Sequence, residues 1–372
     1  MRRAYSRTAE ETLRALGFVS KEASLYVSHE ALALRVAQRS RNADSLTKAL
    51  ATNDIGESFS LIDLAAKSTS SAAIRRTELM VRCRGMEERA QHAGHMASVF
   101  VCTLPSRFHA SSTEGHRNPK FDRSTPRDGH HWLRLAWQRL RAQLHRRGVR
   151  IYGLRTVEPH HDATPHWNVL LFYRPQDREA IRSAFRQHFL LSESPDEPGA
   201  AERRIKEIVL DANRGGATAY IAKYISKNVD GYRVGLDAED ADRRRDATET
   251  CVLVDAWASI HGIRQFQQFG EPPVTIWREL RGMECGSTGV IEQARRAADE
   301  GDWASFTSTM KTGVPLSNGW SIDLYKAWSD KPGVFGDPLG YVVCGLKTAT
   351  ALHPTRDRVW TIDWTGQSES LQ

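Results

Sequence analysis

Two neighbouring stretches near the middle of the chain are rich in apolar residues and have the composition of β-strands, of which the second is predicted to be buried. Residues 150–158 (RIYGLRTVE) and 166–174 (HWNVLLFYR) are separated by a polar turn that contains HDATP. A tight turn of this composition favours antiparallel pairing of the two strands. Because side chains alternate across a strand, His166 and Asn168 lie on one face and Trp167 lies on the other.

The rest of the pattern predicts helices interspersed with further strands. One strand is predicted at 97–106, where Pro105 ends it, and another at 205–212. Apolar residues at helical spacing predict most of the other elements. The predicted helices fill most of residues 1–95, then 130–148, 177–191, 218–231, 251–266 and two or three short segments of 271–312, with small strands after 313. This order predicts an α+β fold with a central antiparallel sheet flanked by helices.

Composition places the chain of 372 residues among ordinary globular proteins, with 40% hydrophobic and 26% charged residues. No apolar run approaches about eighteen residues and no apolar signal core is present, so we expect a cytoplasmic protein without a membrane segment. The five cysteines are dispersed and form no CxxC pair, which argues against a zinc site or a disulfide framework. No GxxxxGK(S/T) loop is present, so ATP-driven helicase activity is not indicated.

The net charge of +7 fits a phosphate-bearing partner, and it equally fits a protein that is merely basic. The helical segment 72–90 either touches phosphates or presents a solvated face. The segment 107–129 is expected to be an exposed loop that either meets single-stranded DNA or has no role. The basic residues in question are Arg75, Arg76, Arg82 and Arg84 in the helix and Arg107, His109, His116, Arg117, Lys120, Arg123 and Arg127 in the loop.

Polar side chains at the predicted hairpin suit a divalent cation. Glu158 ends the first strand, and folding across the turn brings it beside His166 and Asn168. A carboxylate and an imidazole brought together hold divalent ions, and an amide oxygen is a further ligand for a hard cation. We therefore expect Mg²⁺ or Mn²⁺ at Glu158, His166 and Asn168.

A second group of candidate residues lies in the stretch AYIAKYISKNVDG. Tyr220 and Tyr224 are four residues apart, which places both on one face of a helix. Such a pair is either a packing stripe or a pair of nucleophiles that attack phosphorus. Lys223 and Lys227 lie on adjacent faces, where either one can lower the pKa of a phenol or hold a phosphate.

Taken together, these blocks resemble the bacteriophage replication gene A protein family, which are rolling-circle replication initiators with a His-hydrophobic-His (HUH) motif. The blocks are VFVCTLPSRFH (99–109), VEPHHDATPHWNVLLF (157–172), TAYIAKYISKNVDG (218–231) and GIRQFQQFGEPPVTIWRELR (262–281). The resemblance covers roughly residues 80–345 and implies an HUH-endonuclease-like sheet.

The resemblance also implies an activity and partners. The family's tyrosines match Tyr220 and Tyr224, and the two histidines of its metal motif match His166 and position 168. The implied enzyme is a metal-dependent tyrosine DNA endonuclease that nicks and joins one specific strand through a 5′-phosphotyrosine intermediate. It would initiate rolling-circle replication of a phage or prophage, with single-stranded DNA at a replication origin and a host helicase as partners.

The chain departs from the family at the centre of the motif. The family reads His-Trp-His where this chain reads His166-Trp167-Asn168, so one imidazole is replaced by an amide. An amide is a weaker ligand than an imidazole for Mn²⁺. His160 and His161 in the turn are either turn residues or a source of the missing ligand. The alternative hypothesis is a degenerate, catalytically weak initiator that acts as a DNA-binding module.

These interpretations predict four regions. They are a helical N-terminal region at 1–95, an HUH-like nicking domain at 96–232, a charged linker at 233–250, and a small helical or irregular C-terminal region at 251–372 that packs on or follows the nicking domain.

Overall fold

The computed structural model describes residues 2–112, 114–211, 215–231, 247–284, 286, 288–333 and 336–364. The helices are α1 (Arg2–Ala15), α2 (His29–Lys48), α3 (Leu61–Ala66), α4 (Ala72–His92), α5 (Pro126–Arg146), α6 (Arg178–Phe185), α7 (Ala200–Arg203), α8 (Gly216–Val229), α9 (Ala247–His261), α10 (Val274–Arg281), α11 (Gly289–Asp299) and α12 (Trp303–Thr309). The strands are β1 (Leu50–Asn53), β2 (Ser58–Ser60), β3 (Met96–Cys102), β4 (Tyr152–Pro159), β5 (Pro165–Tyr173), β6 (Ile205–Val209), β7 (Phe266–Phe269), β8 (Asp323–Pro332), β9 (Pro338–Lys347), β10 (Leu352–Pro354) and β11 (Trp360–Asp363). Most of the predicted linker 233–250 lies outside the described residues, as does Cys285.

The predicted α+β class is confirmed, because helices accompany three antiparallel sheets. The predicted hairpin is β4–β5, the predicted strand at 97–106 is β3, and the tyrosine helix is α8. Within the described part of the chain, no helix combines the length and the apolar character that crossing a bilayer requires.

The chain divides into two compact units. The first comprises Met1–Ala43, Ser68–Cys83 and Ala90–Gly270, and the second comprises Asp44–Lys67, Arg84–Arg89 and Glu271–Gln372. The four regions predicted from the sequence concern domain roles, and they stay a prediction.

The first unit is built on a five-stranded sheet in the order β6-β3-β5-β4-β7. Every neighbouring pair in this sheet is antiparallel. On one face, Trp167 and Val169 of β5 enter a hydrophobic core with Phe100 of β3 and with side chains of α5 and α6. Burial of each large apolar side chain stabilises the fold by about 1.5–3 kcal/mol, so this face holds the sheet in place. The opposite face carries His166 and Asn168 together with the buried apolar residues Leu170 and Phe172.

Helix α5 begins earlier than the pattern predicted, at Pro126 rather than at residue 130. The reason is a capping box, in which Thr125 accepts from the backbone of Asp128 while the Asp128 carboxylate accepts from the backbone of Thr125. The predicted apolar stripe is confirmed as buried core and consists of Leu133, Trp137, Leu140 and Leu144.

The second unit combines a small aromatic core with two three-stranded sheets, β10-β9-β8 and β11-β1-β2. Trp277 of α10 packs against Trp303 and Phe306 of α12, with ring centroids 5.1 Å apart in both pairs. Buried Glu271 accepts from Nε1 of Trp303 at 2.7 Å and pairs with Arg89 at 2.7 Å. The two or three short helices predicted within 271–312 are present as α10, α11 and α12.

The expectation that helices fill most of residues 1–95, joined by polar turns, was wrong in two places. Helix α1 ends at Ala15, because Gly17 adopts a left-handed backbone with φ of 91°, which ends a helix. Residues 50–60 form β1 and β2, which pair with each other and, through β1, with the distant strand β11. Pairing with a distant strand leaves no signal in the local sequence, so the pattern of residues 50–60 could not reveal these strands.

The expected exposed loop at 107–129 is partly buried, which corrects that prediction. Phe108, Ala110 and Ser111 are at most 7% exposed. Arg107 forms ion pairs with Glu193 and Asp122, at 2.5 and 2.6 Å.

Two of the four arginines singled out on α4 form largely buried ion pairs within the protein. Arg76 pairs with Asp230 at 2.8 Å, and Arg82 pairs with Glu78 at 3.4 Å. These two cations therefore serve the fold, whereas the choice between phosphate contact and a solvated helix face stays open for Arg75 and Arg84.

A buried arginine anchors the turn between β4 and β5. Arg14 is 2% exposed and donates to the carbonyl oxygens of Asp162 and Phe108, both at 2.6 Å. The Asp162 carboxylate accepts from the backbone of Ala110 at 2.7 Å and of Thr164 at 3.1 Å. The turn that carries the candidate site is thus fixed to α1 and to the loop before α5.

Replacing Arg14 with methionine should lower the free energy of unfolding by about 3–5 kcal/mol. The reason is that the buried Asp162 carboxylate loses its positively charged partner. Urea unfolding measures this loss. The matched control is Arg147→Met, an exposed arginine that follows α5, for which we expect a change within about 0.5 kcal/mol. Equal, small changes in both variants would contradict the anchoring role.

Candidate functional site

The central hairpin brings the three predicted ligand side chains to one face of the sheet. Glu158 of β4 lies directly opposite His166 of β5, and Thr156 lies opposite Asn168. Because positions 166 and 168 differ by two, both side chains leave β5 on the side opposite Trp167. Strand pairing alone therefore places a carboxylate, an imidazole and an amide side by side.

Glu158 is the centre of this group and is only 5% exposed. Its Oε2 accepts from Nδ2 of Asn168 at 2.8 Å and lies 3.5 Å from Nε2 of His166. Its Oε1 accepts from Nδ2 of Asn228, on α8, at 2.5 Å. Both carboxylate oxygens therefore have partners, as a buried charge requires.

The charge state of Glu158 follows from two opposing effects. Burial alone would raise the pKa of its carboxyl, because the ionised form loses water. The hydrogen bond and charge of His166, the charge of Lys227 and the amide of Asn228 outweigh burial, so the pKa lies below its ordinary value. Glu158 is therefore ionised at neutral pH and can attract a cation.

Helix α8 places both tyrosines side by side. The hydroxyl oxygens of Tyr220 and Tyr224 are 3.1 Å apart, and their ring centroids are 5.3 Å apart. Both residues are half-buried, whereas Ile221 and Ile225 are fully buried on the packed side of the helix. The buried isoleucines fix the rotation of α8, so the phenols face outward from the core.

A cavity of about 220 Å³ lies between the tyrosine helix and the hairpin. Six of the residues singled out from the sequence line it: Glu158, His166, Asn168, Tyr220, Tyr224 and Lys227. Lys223, also singled out, is exposed and is not among the lining residues. The structure thus brings the predicted ligands and phenols to one small space, and the roles of all seven residues stay predictions.

The donor set decides whether a cation fits this cavity. Among the described residues, no group of three or more His, Cys, Asp or Glu side chains is arranged to hold a metal ion. The set here is one carboxylate, one imidazole and one amide, and Asn168 directs its nitrogen at Glu158. A half-turn of that amide presents Oδ1 instead, and the resulting oxygen and nitrogen donors fit Mg²⁺ or Mn²⁺.

The histidines of the turn lie near this donor set, and a ligand role for either of them stays a prediction. The His160 ring lies 4.4 Å from the His166 ring, centroid to centroid. Burial, followed by the charges of His166 and His109, holds the pKa of His160 well below its ordinary value. Within the described residues, neither His160 nor His161 completes a three-residue ligand group with Glu158 and His166. His160 therefore supports the His166 ring by packing.

Sequence reasoning missed three residues of the site, of which one holds Glu158 and two line the cavity. Asn228, which holds Glu158, lies four residues after Tyr224 on the same helix, so the helical period could have indicated it. Lys206 and Tyr26 also line the cavity, from β6 and from the segment after α1. They are brought there by tertiary packing, which leaves no local signal.

Comparison with known proteins identifies relatives. The family described as Bacteriophage replication gene A protein (GPA) matches residues 1–232. The "Replication gene A protein" of Escherichia phage 186 is 38% identical over 320 residues, which cover 83% of this chain and 45% of that protein. The "Replication protein" of Haemophilus phage HP1 is 37% identical over 311 residues, which cover 82% of this chain and 40% of that protein.

A bacterial relative has a more specific name. The "Probable replication endonuclease from prophage-like region" of Salmonella paratyphi A is 36% identical over 349 residues, which cover 88% of this chain and 43% of that protein. The chain thus spans less than half the length of these relatives. No solved structure matches the chain. The resemblance inferred from the sequence blocks is confirmed at the level of the family.

Replacing Asn228 with alanine removes the amide donor from Oε1 of Glu158. We expect a loss of about 1–3 kcal/mol in the free energy of unfolding at neutral pH, because a buried charged acceptor loses a partner. The native pKa of Glu158 is lowered, so its contribution is complete above the unfolded-state pKa and disappears as the pH falls through the native pKa. The loss should therefore shrink in acid.

Urea unfolding at several pH values between neutrality and about pH 3 measures this effect. Lys223→Ala, on the exposed side of the same helix, is the control and should show no such pH dependence. A loss for Asn228→Ala that stays constant over this range would show that Asn228 does not stabilise the ionised carboxylate.

Proposed function

The chain belongs to the bacteriophage replication gene A protein family, and on this premise we propose that it is a replication initiator that nicks and rejoins one strand of DNA. The observation that carries the proposal is the shared cavity, which places two phenols opposite an ionised carboxylate and an imidazole. A tyrosine nucleophile needs a partly exposed phenol beside a place for the phosphate, and this cavity supplies both.

In the proposed reaction, one phenol oxygen attacks the phosphorus of a DNA phosphodiester. A bond forms between the tyrosine oxygen and phosphorus, which gives a 5′-phosphotyrosine, and the bond from phosphorus to the 3′ oxygen breaks. The phenol loses its proton and the departing 3′ oxygen gains one, which leaves a free 3′-hydroxyl. Reversal of the same step by a 3′-hydroxyl rejoins the strand without ATP.

The 3.1 Å separation of the two phenol oxygens supports a role for the pair. At this distance the hydroxyl of one tyrosine can donate to the oxygen of the other, which favours the ionised, attacking form. Two nucleophiles also permit two successive cleavages at one site, so that a strand can be started, ended and circularised. Lys227 lines the same cavity and supplies a positive charge for the phosphate.

Mg²⁺ or Mn²⁺ is the cofactor that this donor set fits. Glu158, His166 and, with its amide turned, Asn168 would hold the ion. When bound, the ion would neutralise charge on the non-bridging phosphate oxygens. The ionised state of Glu158 at neutral pH supports this assignment. DNA at a replication origin is the proposed substrate, and a host helicase is the proposed partner that opens the duplex.

A second candidate function is supported by a specific contact. The Asn168 amide donates to Glu158 at 2.8 Å, where it satisfies the carboxylate without any cation. A chain stabilised in this way would grip DNA through its basic residues but cut it slowly. This second candidate is a degenerate initiator that acts as a DNA-binding module.

The first test uses a labelled single-stranded origin oligonucleotide with Mn²⁺. A covalent adduct should form with the native chain, and the double variant Tyr220→Phe with Tyr224→Phe should abolish it, because both attacking oxygens are lost. Tyr5→Phe, at a tyrosine that is 79% exposed on α1, is the control and should form the adduct normally. An adduct that survives the double change would refute these nucleophiles.

The second test separates the two candidate functions through Asn168→His. If the protein is a nicking enzyme, the native chain should already form the covalent adduct. The Asn168→His variant should then change the rate of adduct formation by no more than about tenfold. The rate is measured at saturating Mn²⁺ with the same oligonucleotide. Strong nicking by the variant alone, with none by the native chain, would favour the binding module.

A further inference from the structure

The sheet face opposite the tyrosines holds a buried arginine beside an aromatic ring. Arg155 of β4 is 5% exposed, and its guanidinium carbon lies 3.9 Å from the centroid of the Trp167 ring. Its Nη2 donates to Oε1 of Gln267, a neutral acceptor, at 2.6 Å. Its Nε is buried and has no hydrogen-bond partner among the described residues. A buried cation in this condition is unusual, because burial without a counter-charge is costly.

Two contacting side chains share this condition. In the part of the chain that the structure describes, Nε1 of Trp167 and Nδ1 of His130 are buried and without hydrogen-bond partners. The His130 and Trp167 ring centroids are 5.7 Å apart. Buried polar atoms are nearly always hydrogen-bonded, so three such nitrogens in one group of touching side chains point to a ligand that accepts hydrogen bonds.

Among the described residues, the charges that act most strongly on Arg155 and His130 are positive. Burial, followed by the charges of Arg134 and Arg264, lowers the pKa of Arg155 to about 10. Burial, followed by Arg155 and Arg134, lowers the pKa of His130 to about 4. Arg134 and Arg264 are exposed, so the positive charge of the group reaches the surface. The ligand that fits these surroundings is an anion.

We propose that Arg155, His130 and Trp167, with Arg134 and Arg264 at the surface, form a phosphate-binding site that holds a backbone phosphate of DNA outside the cleavage cavity. Guanidinium groups match phosphate oxygens in geometry and charge. The choice of DNA rests on the proposed function, whereas the choice of phosphate rests on the side chains alone.

The neighbouring surface favours a polymer over a single ion. Arg127, Arg134 and Arg141 recur every seven residues on α5, which aligns them along one side of the helix at intervals of about 10 Å. All three are exposed. A row of exposed cations that includes Arg134, whose charge acts on the buried arginine, fits the repeated phosphates of a nucleic-acid backbone.

The test compares two double variants of the full chain that carry the same charge change. The site variant is Arg134→Gln with Arg264→Gln, which alters exposed residues and leaves the core intact. The control is Arg139→Gln with Arg146→Gln, two exposed α5 arginines whose charges act on His188 instead. Binding of a labelled 40-nucleotide single strand is followed by anisotropy in EDTA over a range of salt concentrations.

The site variant should lose about five- to tenfold in affinity at physiological salt, and its salt slope should fall by about one, whereas the control should lose less than about twofold. Equal losses in both double variants would overturn the proposal. Thermal shifts with inorganic phosphate separate the sources of the ligand. Stabilisation by phosphate that the site variant alone loses, together with equal DNA affinity in both variants, would overturn the assignment to DNA.

Circular dichroism and melting curves check that both variants are folded. Because this binding is measured in EDTA, it does not depend on cleavage. A chain that binds DNA through this site but forms no tyrosine adduct would refute the proposed enzyme and leave this inference standing.

Discussion

The buried carboxylate of Glu158 is the constraint on which the site depends. An ionised group that is 5% exposed persists only where every oxygen has a partner, and here the partners come from two strands and one helix. The same contacts that satisfy the charge also fix the distance between the hairpin and α8. The hydrogen bonds that satisfy the buried charge of Glu158 therefore also position the helix that carries the tyrosines.

The two faces of the five-stranded sheet carry different groups of residues. One face carries Trp167 into the core and also bears the buried Arg155, while the other carries His166 and Asn168 toward the cavity. Strand alternation makes this division automatic, because neighbouring residues of β5 must point in opposite directions. Under the two proposals, a rigid hairpin held by Arg14 would serve a reaction on one side and bind a phosphate of DNA on the other.

The sequence predicted the parts of the fold that have a local signal. The β4–β5 hairpin, the tyrosine helix and the apolar stripe of α5 all follow from periodicity, and the family resemblance came from blocks of fixed order. It did not predict β1 and β2, whose pairing with β11 is long-range, nor the cavity residues Lys206 and Tyr26. The sequence also could not predict which atom of the Asn168 amide faces Glu158, because this orientation depends on the charge of Glu158.

The most direct test of the account is anomalous diffraction from crystals soaked in Mn²⁺. The account predicts a peak within coordination distance of Glu158 and His166, about 2.0–2.3 Å, with Asn168 turned to present its oxygen. The phenol oxygens should border the same cavity. Saturating Mn²⁺ that leaves no peak there, with Asn168 still donating to Glu158, would contradict the claim that this group of side chains holds the ion for the tyrosines.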